Sequence, residues 1–496
     1  MDNLYAAPVR RDGGMLASRW PRLGLTAASA TIGLIGARFA WVRRSQRTQR
    51  TLTMASLGAR TGAHSALHKA RRTFASAERK EVLDHAHQLQ SAEDVAAVLG
   101  QMKGALMKLG QMASYLDETM PEPMRQALAS LQQDAPPMSP ALAAGVVLTE
   151  LGQHPTALFA EWDEVPIAAA SIGQVHRAMT RDGRAVAVKV QYPGVDAAIA
   201  ADLDNTDFLF RIIGMGFPGL DPKTVVEELR ERLTEELDYT LEARNQTLFA
   251  DWYRDHPFIH VPEVVKEYSS KRVLTTELVS GARFDEVLTW SQAERNLAAE
   301  TIFRFVFRSI YRIAAFNGDP HPGNYLFAPG GHVTFFDFGL VKHYEIPEVK
   351  LFSDLIVAMC FDHDITRFRA LVEAGGVLQK GAAVTDEQVL DYYGHFYEFV
   401  LEDRDVTFDP EYASRTVRRM FDLTSPNAVV AKVSNVPKAF VITQRINLGL
   451  HALLGQLNAT ANWRKIAEEL WPFANGAPST PLGEREAEWL RNNPRP

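Results

Sequence analysis

The run Gly318-Asp319-Pro320-His321-Pro322-Gly323-Asn324, followed by Phe336-Asp337-Phe338-Gly339, constrains this chain more than any other feature. Asp319 and Asn324 stand five positions apart, and Asp337 follows the asparagine by thirteen. Asp-Pro, Pro-Gly and Gly-Asn are turn dipeptides, so either stretch alone reads as a loop. Together they supply three oxygen-bearing side chains, the donors that a hard, octahedral Mg²⁺ takes alongside phosphate oxygens. Their spacing matches a catalytic-loop Asp, a metal-binding Asn and a metal-binding Asp arranged around ATP.

The bulk of the chain narrows the class further. At 496 residues it exceeds one ordinary domain, which suits a two-lobed unit with extensions. A hydrophobic fraction of 46% supplies a core, and a net charge of -7 offers nothing to a nucleic acid. The single Cys360 excludes an internal disulfide framework and suits a reducing compartment. The amino end differs: residues 1–50 carry nine arginines against Asp2 and Asp12. The apolar run between Arg22 and Arg38 spans 15 residues, shorter than the roughly 20 of a spanning helix. A marginal membrane helix, an interfacial anchor, an Arg-rich targeting peptide and a solvated tail all remain open for it.

Apolar residues recur every three or four positions through Val95, Val98, Met102, Leu106, Leu109 and Met112, which predicts helix over 80–134. Residues 183–191 alternate as a strand, and a long charged helix is expected from Asp221-Pro222 through Gln246. Short strands follow in FIHVPEVV and RVLTTELV, closed by Gly281. Beyond 282 long amphipathic helices are broken only by the loop motifs. This order is a small sheet with one helix, then a helical domain bearing catalytic loops.

Lys189, in Val186-Ala187-Val188-Lys189, has the form of a strand lysine that holds nucleotide phosphates. Such a lysine needs a helix carboxylate to fix it, and Glu242 is well placed in sequence. Gly214-Met215-Gly216-Phe217-Pro218-Gly219 formally matches G-x-G-x-x-G, but it follows the lysine and Pro218 interrupts it, so a helix-helix turn is the better reading.

Where a Gly-rich loop would lie, the chain has Ala168-Ala169-Ala170-Ser171-Ile172-Gly173-Gln174-Val175-His176. With Lys108-Leu109-Gly110-Gln111 and Glu236-Leu237-Asp238, this resembles the UbiB family of atypical kinases, also called AarF or ADCK. The resemblance runs in ordered motifs from about 108 to 339. It implies that Lys189 binds phosphates braced by Glu242, that Asn324 and Asp337 hold the metal, and that Asp319 is the catalytic aspartate. Ala168, Ala169, Ala170 and Ser171 would form an alanine-rich loop over the phosphates, stiffer than a glycine loop. Glu277 and Leu278 fall where a hinge would bind adenine. Lys108 and Gln111 share one helix face, and the resemblance implies that this helix packs across the cleft with Lys108 within ion-pairing reach of Glu236 or Asp238.

The chain departs from ordinary kinases at Asn317-Gly318, where His-Arg would stand, so the loop must be oriented otherwise. His321 is expected to be a structural hydrogen-bond donor in the proline-rich turn. The expected fold is α+β: a bilobal protein-kinase-like domain with an N-terminal helical extension over the nucleotide cleft. Its segments are an Arg-rich 1–60, a helical extension 61–160, a small lobe 161–281, a helical large lobe 282–475 and a polar tail 476–496.

The implied function is Mg²⁺-dependent ATP or ADP binding with slow hydrolysis or phosphoryl transfer, in support of isoprenoid-quinone or lipid metabolism. A true protein or small-molecule kinase is one alternative, and a nucleotide-gated scaffold or lipid chaperone another. Expected partners are an adenine nucleotide and a membrane or isoprenoid lipid, with no nucleic acid and no named protein. The expected location is cytoplasmic, with the amino-terminal segment as a route to a membrane.

Overall fold

The computed structural model describes residues 138–170, 172–196, 230, 234–317, 320–412, 415, 428–434 and 438–494. The Arg-rich amino end, the Lys108–Gln111 motif and the Gly214–Gly219 stretch lie outside these residues, as do Ser171 and Asp319.

The described chain begins with α1 (Pro140–Leu151), which Ser139 caps and Gly152 ends in the left-handed region at φ 76°. An antiparallel sheet follows, built from β1 (Glu161–Trp162), β2 (Ala168–Ala170), β3 (Gly173–Met179), β4 (Ala185–Gln191) and, later in the chain, β6 (Val273–Glu277). Its order is β1-β3-β4-β6, with β2 folded back on β3. Successive side chains on a strand face opposite ways, so Val186, Val188 and Val190 bury one face of β4 while Lys189 points out of the other. The valines pack with Val146, Val147, Phe159 and Val273 into the small-lobe core, which α1 covers.

The opposite face of β4 meets α2 (Tyr239–Trp252). The sequence predicts one continuous helix here, whereas the structure breaks it at Leu237–Asp238. Asp238 takes an extended conformation and its carboxylate accepts the Thr240 amide at 2.9 Å. The Leu237 carbonyl accepts from the Gln191 side chain at 3.0 Å, and the Tyr239 amide donates to the Lys271 carbonyl at 3.0 Å. Backbone groups that would have continued the helix are spent on the sheet instead, so α2 starts at a fixed point beside β4.

The large lobe is organised around α3 (Gln292–Ile313), buried along most of its length. Three short sheets carry its loops: β5 (Ile259–His260), β8 (Tyr325–Ala328) and β9 (His332–Phe335) in the order β5-β9-β8; β7 (Ala315–Asn317) with β10 (Val341–His343); and β11 (Val406–Phe408) with β12 (Ala459–Ala461). Around them lie α4 (Ile346–Ile356), α5 (Ile365–Ala374), α6 (Asp386–Gly394), α7 (Lys438–Gln456), α8 (Trp463–Leu470) and α9 (Pro481–Asn492). A five-stranded small lobe over a helical large lobe is the expected α+β kinase-like architecture.

The carboxyl end corrects the expectation of a polar tail. Thr480 caps α9 and Pro481 opens it, and the helix docks on the large lobe through Leu482, Glu486 and Trp489. Glu486 bonds Arg304 at 2.8 Å and Arg308 at 2.9 Å, and Arg304 also holds Glu300 at 2.8 Å and Glu469 at 2.9 Å. A segment rich in charge reads as solvated, yet these charges find partners nearly 180 residues away.

Candidate functional site

Strand pairing explains how two distant motifs meet. In the β8–β9 hairpin Tyr325 lies opposite Phe335, so the residue before β8 and the residue after β9 are neighbours. Those residues are Asn324 and Phe336, and the Phe336 amide donates to the Asn324 carbonyl at 3.3 Å. Asp337 comes next. The thirteen-residue spacing is thus the length of one hairpin folded back on itself.

The D-F-G segment is pinned on several sides. Asp337 accepts the Gly339 amide at 3.0 Å. The Asn317 side chain, at the end of β7, donates to the Asp337 carbonyl. An asparagine standing where kinases carry His-Arg therefore ties the end of β7 directly to the D-F-G segment. Phe338 is fully buried, its ring centre 4.9 Å from that of Phe249 on α2, and its carbonyl accepts from Asn245 at 3.3 Å. The helix that carries Glu242 also grips the D-F-G.

Lys189 reaches the same place from the small lobe. Its Nζ donates to both oxygens of Glu242, at 2.9 and 3.0 Å. A methyl group built on Gly339 would stand 3.4 Å from Asp337 Oδ1 and 3.6 Å from Glu242 Oε2, so both carboxylates border one glycine. Burial alone would lower the Lys189 pKa, but the charges of Glu242 and Asp337 outweigh it and hold the ammonium well above its ordinary value. The lysine stays charged at every physiological pH.

The catalytic-loop turn is held from below. His321 accepts the Gly323 amide through Nδ1 at 3.0 Å, so this ring nitrogen plays a structural role as an acceptor where a donor was expected. Pro320 rests against α7 at Gly449, where an added Cβ would lie 2.2 Å from the proline ring. Nothing in the sequence marked Gly449 as part of this site.

Ala168–Ala170 pair with Val175–Gly173 as a short hairpin, and Gly173 approaches the Val190 carbonyl so closely that a Cβ would sit 2.3 Å from it. Gln174 and His176 serve the scaffold: Gln174 accepts the Met138 amide at 2.8 Å and bonds His176 at 2.8 Å, while His176 stacks on Trp162 at 4.6 Å. At the expected hinge, the Glu277 amide already donates to Glu263 and the Leu278 amide to Ala185, at 2.9 and 3.1 Å. The Glu277 side chain bonds His260 at 3.1 Å.

Asp238 serves as the cap of α2, bonding Thr240 through both amide and hydroxyl, rather than as a free acidic lure. Glu236 lies two residues before that cap and is half-buried. Its expected pairing with Lys108 falls outside the described residues. The chemistry brought together is one charged amine, an asparagine and an aspartate on adjoining loops, and a helix carboxylate.

The description "ABC1 atypical kinase-like domain" matches residues 130–371. "Atypical kinase COQ8B, mitochondrial" of Rattus norvegicus is 36% identical over 252 residues, covering 50% of this chain and 48% of that protein. "Protein ACTIVITY OF BC1 COMPLEX KINASE 1, chloroplastic" of Arabidopsis thaliana is 33% identical over 276 residues, 54% of this chain and 40% of that one. The chain thus spans about half or less of the length of these relatives. Among solved structures, the Rv3197–erythromycin complex from Mycobacterium tuberculosis is similar with a TM-score of 0.57 and 31% identity, covering 80% of this chain and 99% of that one.

Proposed function

This chain belongs to the ABC1 atypical kinase-like family, the UbiB group, and on that premise we propose that it is an Mg²⁺-dependent enzyme acting on the terminal phosphate of an adenine nucleotide. The observation that carries the reading is the convergence of Lys189, Glu242 and Asp337 around Gly339. The donor set fits the ion: a carboxylate and an amide oxygen on rigid hairpin ends suit a hard cation that keeps waters and phosphate oxygens as its other ligands. Asp337 and Asn324 would hold it, and when bound it neutralises phosphate charge and orients the triphosphate.

The protein's own part is positioning. Lys189 would contact the phosphates, and Glu242 keeps its ammonium from swinging to water. The Ala168–Ser171 hairpin would cover the phosphates, the segment around Leu278 would meet adenine, and Asp319 would orient the attacking oxygen. Phosphoryl transfer through a loose transition state asks for such placement and charge more than for covalent help. Glu236 and the Lys108–Gln111 helix would regulate access to this cleft.

The biological setting is proposed from the relatives. Their printed names place them in mitochondria or chloroplasts, which suits service to isoprenoid-quinone or lipid chemistry at a membrane. Among the described residues no helix is long and apolar enough to cross a bilayer, so residues 1–60 or a surface would make that contact.

The test is Mg²⁺-dependent release or transfer of the terminal phosphate by the full chain, with and without vesicles of anionic lipid containing an isoprenoid quinone. Turnover that needs Mg²⁺ and disappears in Asp337→Ala is the expected result. Turnover indifferent to Asp337 and Lys189 would remove the proposed site.

A further inference from the structure

Tyr239 is the first helical residue of α2, one turn before Glu242 and therefore on the same helix face. Its side chain is 1% exposed. The Lys189 ammonium lies over the ring, 5.0 Å from its centre, a cation–π contact. The charges of Lys189, Glu242, Glu236 and Asp337 all act on this one phenol.

Yet the hydroxyl, buried among these groups, has no hydrogen-bond partner among the described residues. Buried polar atoms are nearly always satisfied, and the exceptions ask for a reason. Two other buried phenols have one, Tyr253 with Ser309 at 2.8 Å and Tyr393 with Ser434 at 2.5 Å, whereas the Tyr192 hydroxyl also lacks one; what sets Tyr239 apart is the ammonium over its ring. Burial holds the Tyr239 phenol protonated far above the physiological range, so it is a donor awaiting an acceptor.

We propose that the Tyr239 hydroxyl is kept unpaired for an anionic phosphate oxygen of the bound nucleotide, while its ring serves as the platform on which Lys189 is aimed. This rests on the nucleotide reading above and adds a contact that it does not require. The chemistry selects the ligand class. Lys189 and Asp337, the groups next to the ring, are the ones that would face the phosphates and their metal, and a neutral donor there adds a bond without adding charge.

The experiment compares the full-length protein with Tyr239→Phe, which keeps the ring and removes only the oxygen. Two quantities are read for each: the unliganded melting temperature, and affinities for Mg²⁺-ATP, Mg²⁺-ADP and adenosine by calorimetry. The proposal expects an unliganded melting temperature that is unchanged or raised, since an unmet buried polar atom has been removed. It expects Mg²⁺-nucleotide affinity about tenfold weaker, or 1.4 kcal/mol, with adenosine unaffected.

A fall of several degrees in the unliganded protein, with nucleotide affinity intact, would mean that the hydroxyl bonds within the protein, and overturns the idea. Equal weakening for adenosine overturns it as well, because the ring would then have moved. If the wild type itself binds no Mg²⁺-nucleotide, the functional reading fails and this inference with it. Normal wild-type binding matched by Tyr239→Phe sinks the inference alone.

Discussion

Two buried ionic clusters among the described residues differ in whether they are closed. In the large lobe Arg304 and Arg308 are surrounded by Glu300, Glu469 and Glu486, with Thr480 and the Glu469 carbonyl taking further donors. Guanidinium forks meet carboxylates at 2.8–2.9 Å, and the whole ties α9 to α3 and α8. At the cleft, one amine faces Glu242 and Asp337, and a buried phenol beside it lacks a partner. Both clusters are charged and buried, so neither property marks function. The guanidinium and carboxylate groups of the first cluster pair with one another, and the His256 Nε2 beside Glu486 stays unbonded 3.7 Å away; the second cluster holds an unpaired phenol that we assign to a ligand.

The largest test of this contrast removes the keystone of the closed cluster. Glu486→Ala leaves two buried guanidinium groups without their shared carboxylate and should cost about 3–5 kcal/mol, read by urea denaturation of the full chain. Nucleotide affinity should stay within about twofold, which is under half a kcal/mol. A loss below about 1 kcal/mol, the worth of an exposed pair, would mean the cluster is not closed. The mirror experiment is Asp337→Ala in the open cluster. Mg²⁺-nucleotide affinity should fall about 100-fold or more, near 2.7 kcal/mol, with little change in the unliganded melting temperature. Global unfolding of that variant would make Asp337 a structural carboxylate and erase the contrast.

Acid provides a gentler probe. Burial alone would raise the Glu486 carboxyl, but Arg308, His256 and Arg304 outweigh it and hold its pKa well below the model-compound value of 4.5. A carboxyl depressed in the folded state adds stability that is complete above the unfolded pKa and disappears as pH falls toward the folded one. Stability should therefore decline as pH drops below 4.5, and Glu486→Gln should flatten that decline by about one proton's worth of slope. An unchanged slope would contradict the assignment. The smallest effect concerns Asp238. Asp238→Ala should cost about 1 kcal/mol through the lost helix cap, whereas Asp238→Asn keeps the cap and should cost only a few tenths. If the asparagine variant proves as damaging as alanine, the charge matters and a pairing such as that expected with Lys108 gains weight.

The open cluster was legible in the sequence because its residues sit in loops whose spacing is set by a hairpin and by the chemistry of a hard metal. Lys189 was readable from strand alternation, and Glu242 from the need of that lysine for a helix partner. The break at Leu237–Asp238 was not, since an Asp inside EELDYTLEARN fits a continuing helix as well as a cap. What decides is the pull of Gln191 and Lys271 from the sheet, which no local pattern contains. The closed cluster was invisible for the same reason. Arg304 and Glu486 look like surface charges in their own helices and become core only when α9 folds onto α3. Tyr239 escaped notice because a tyrosine next to an acidic pair carries no signal until its ring is found beneath an ammonium.

Gly449 gives the site a mechanical connection. A helix backbone and a proline ring touch there with no side chain between them, so the contact has no soft atom to absorb displacement. Any shift of α7 at Gly449 therefore meets the Pro320 ring before a longer side chain could yield.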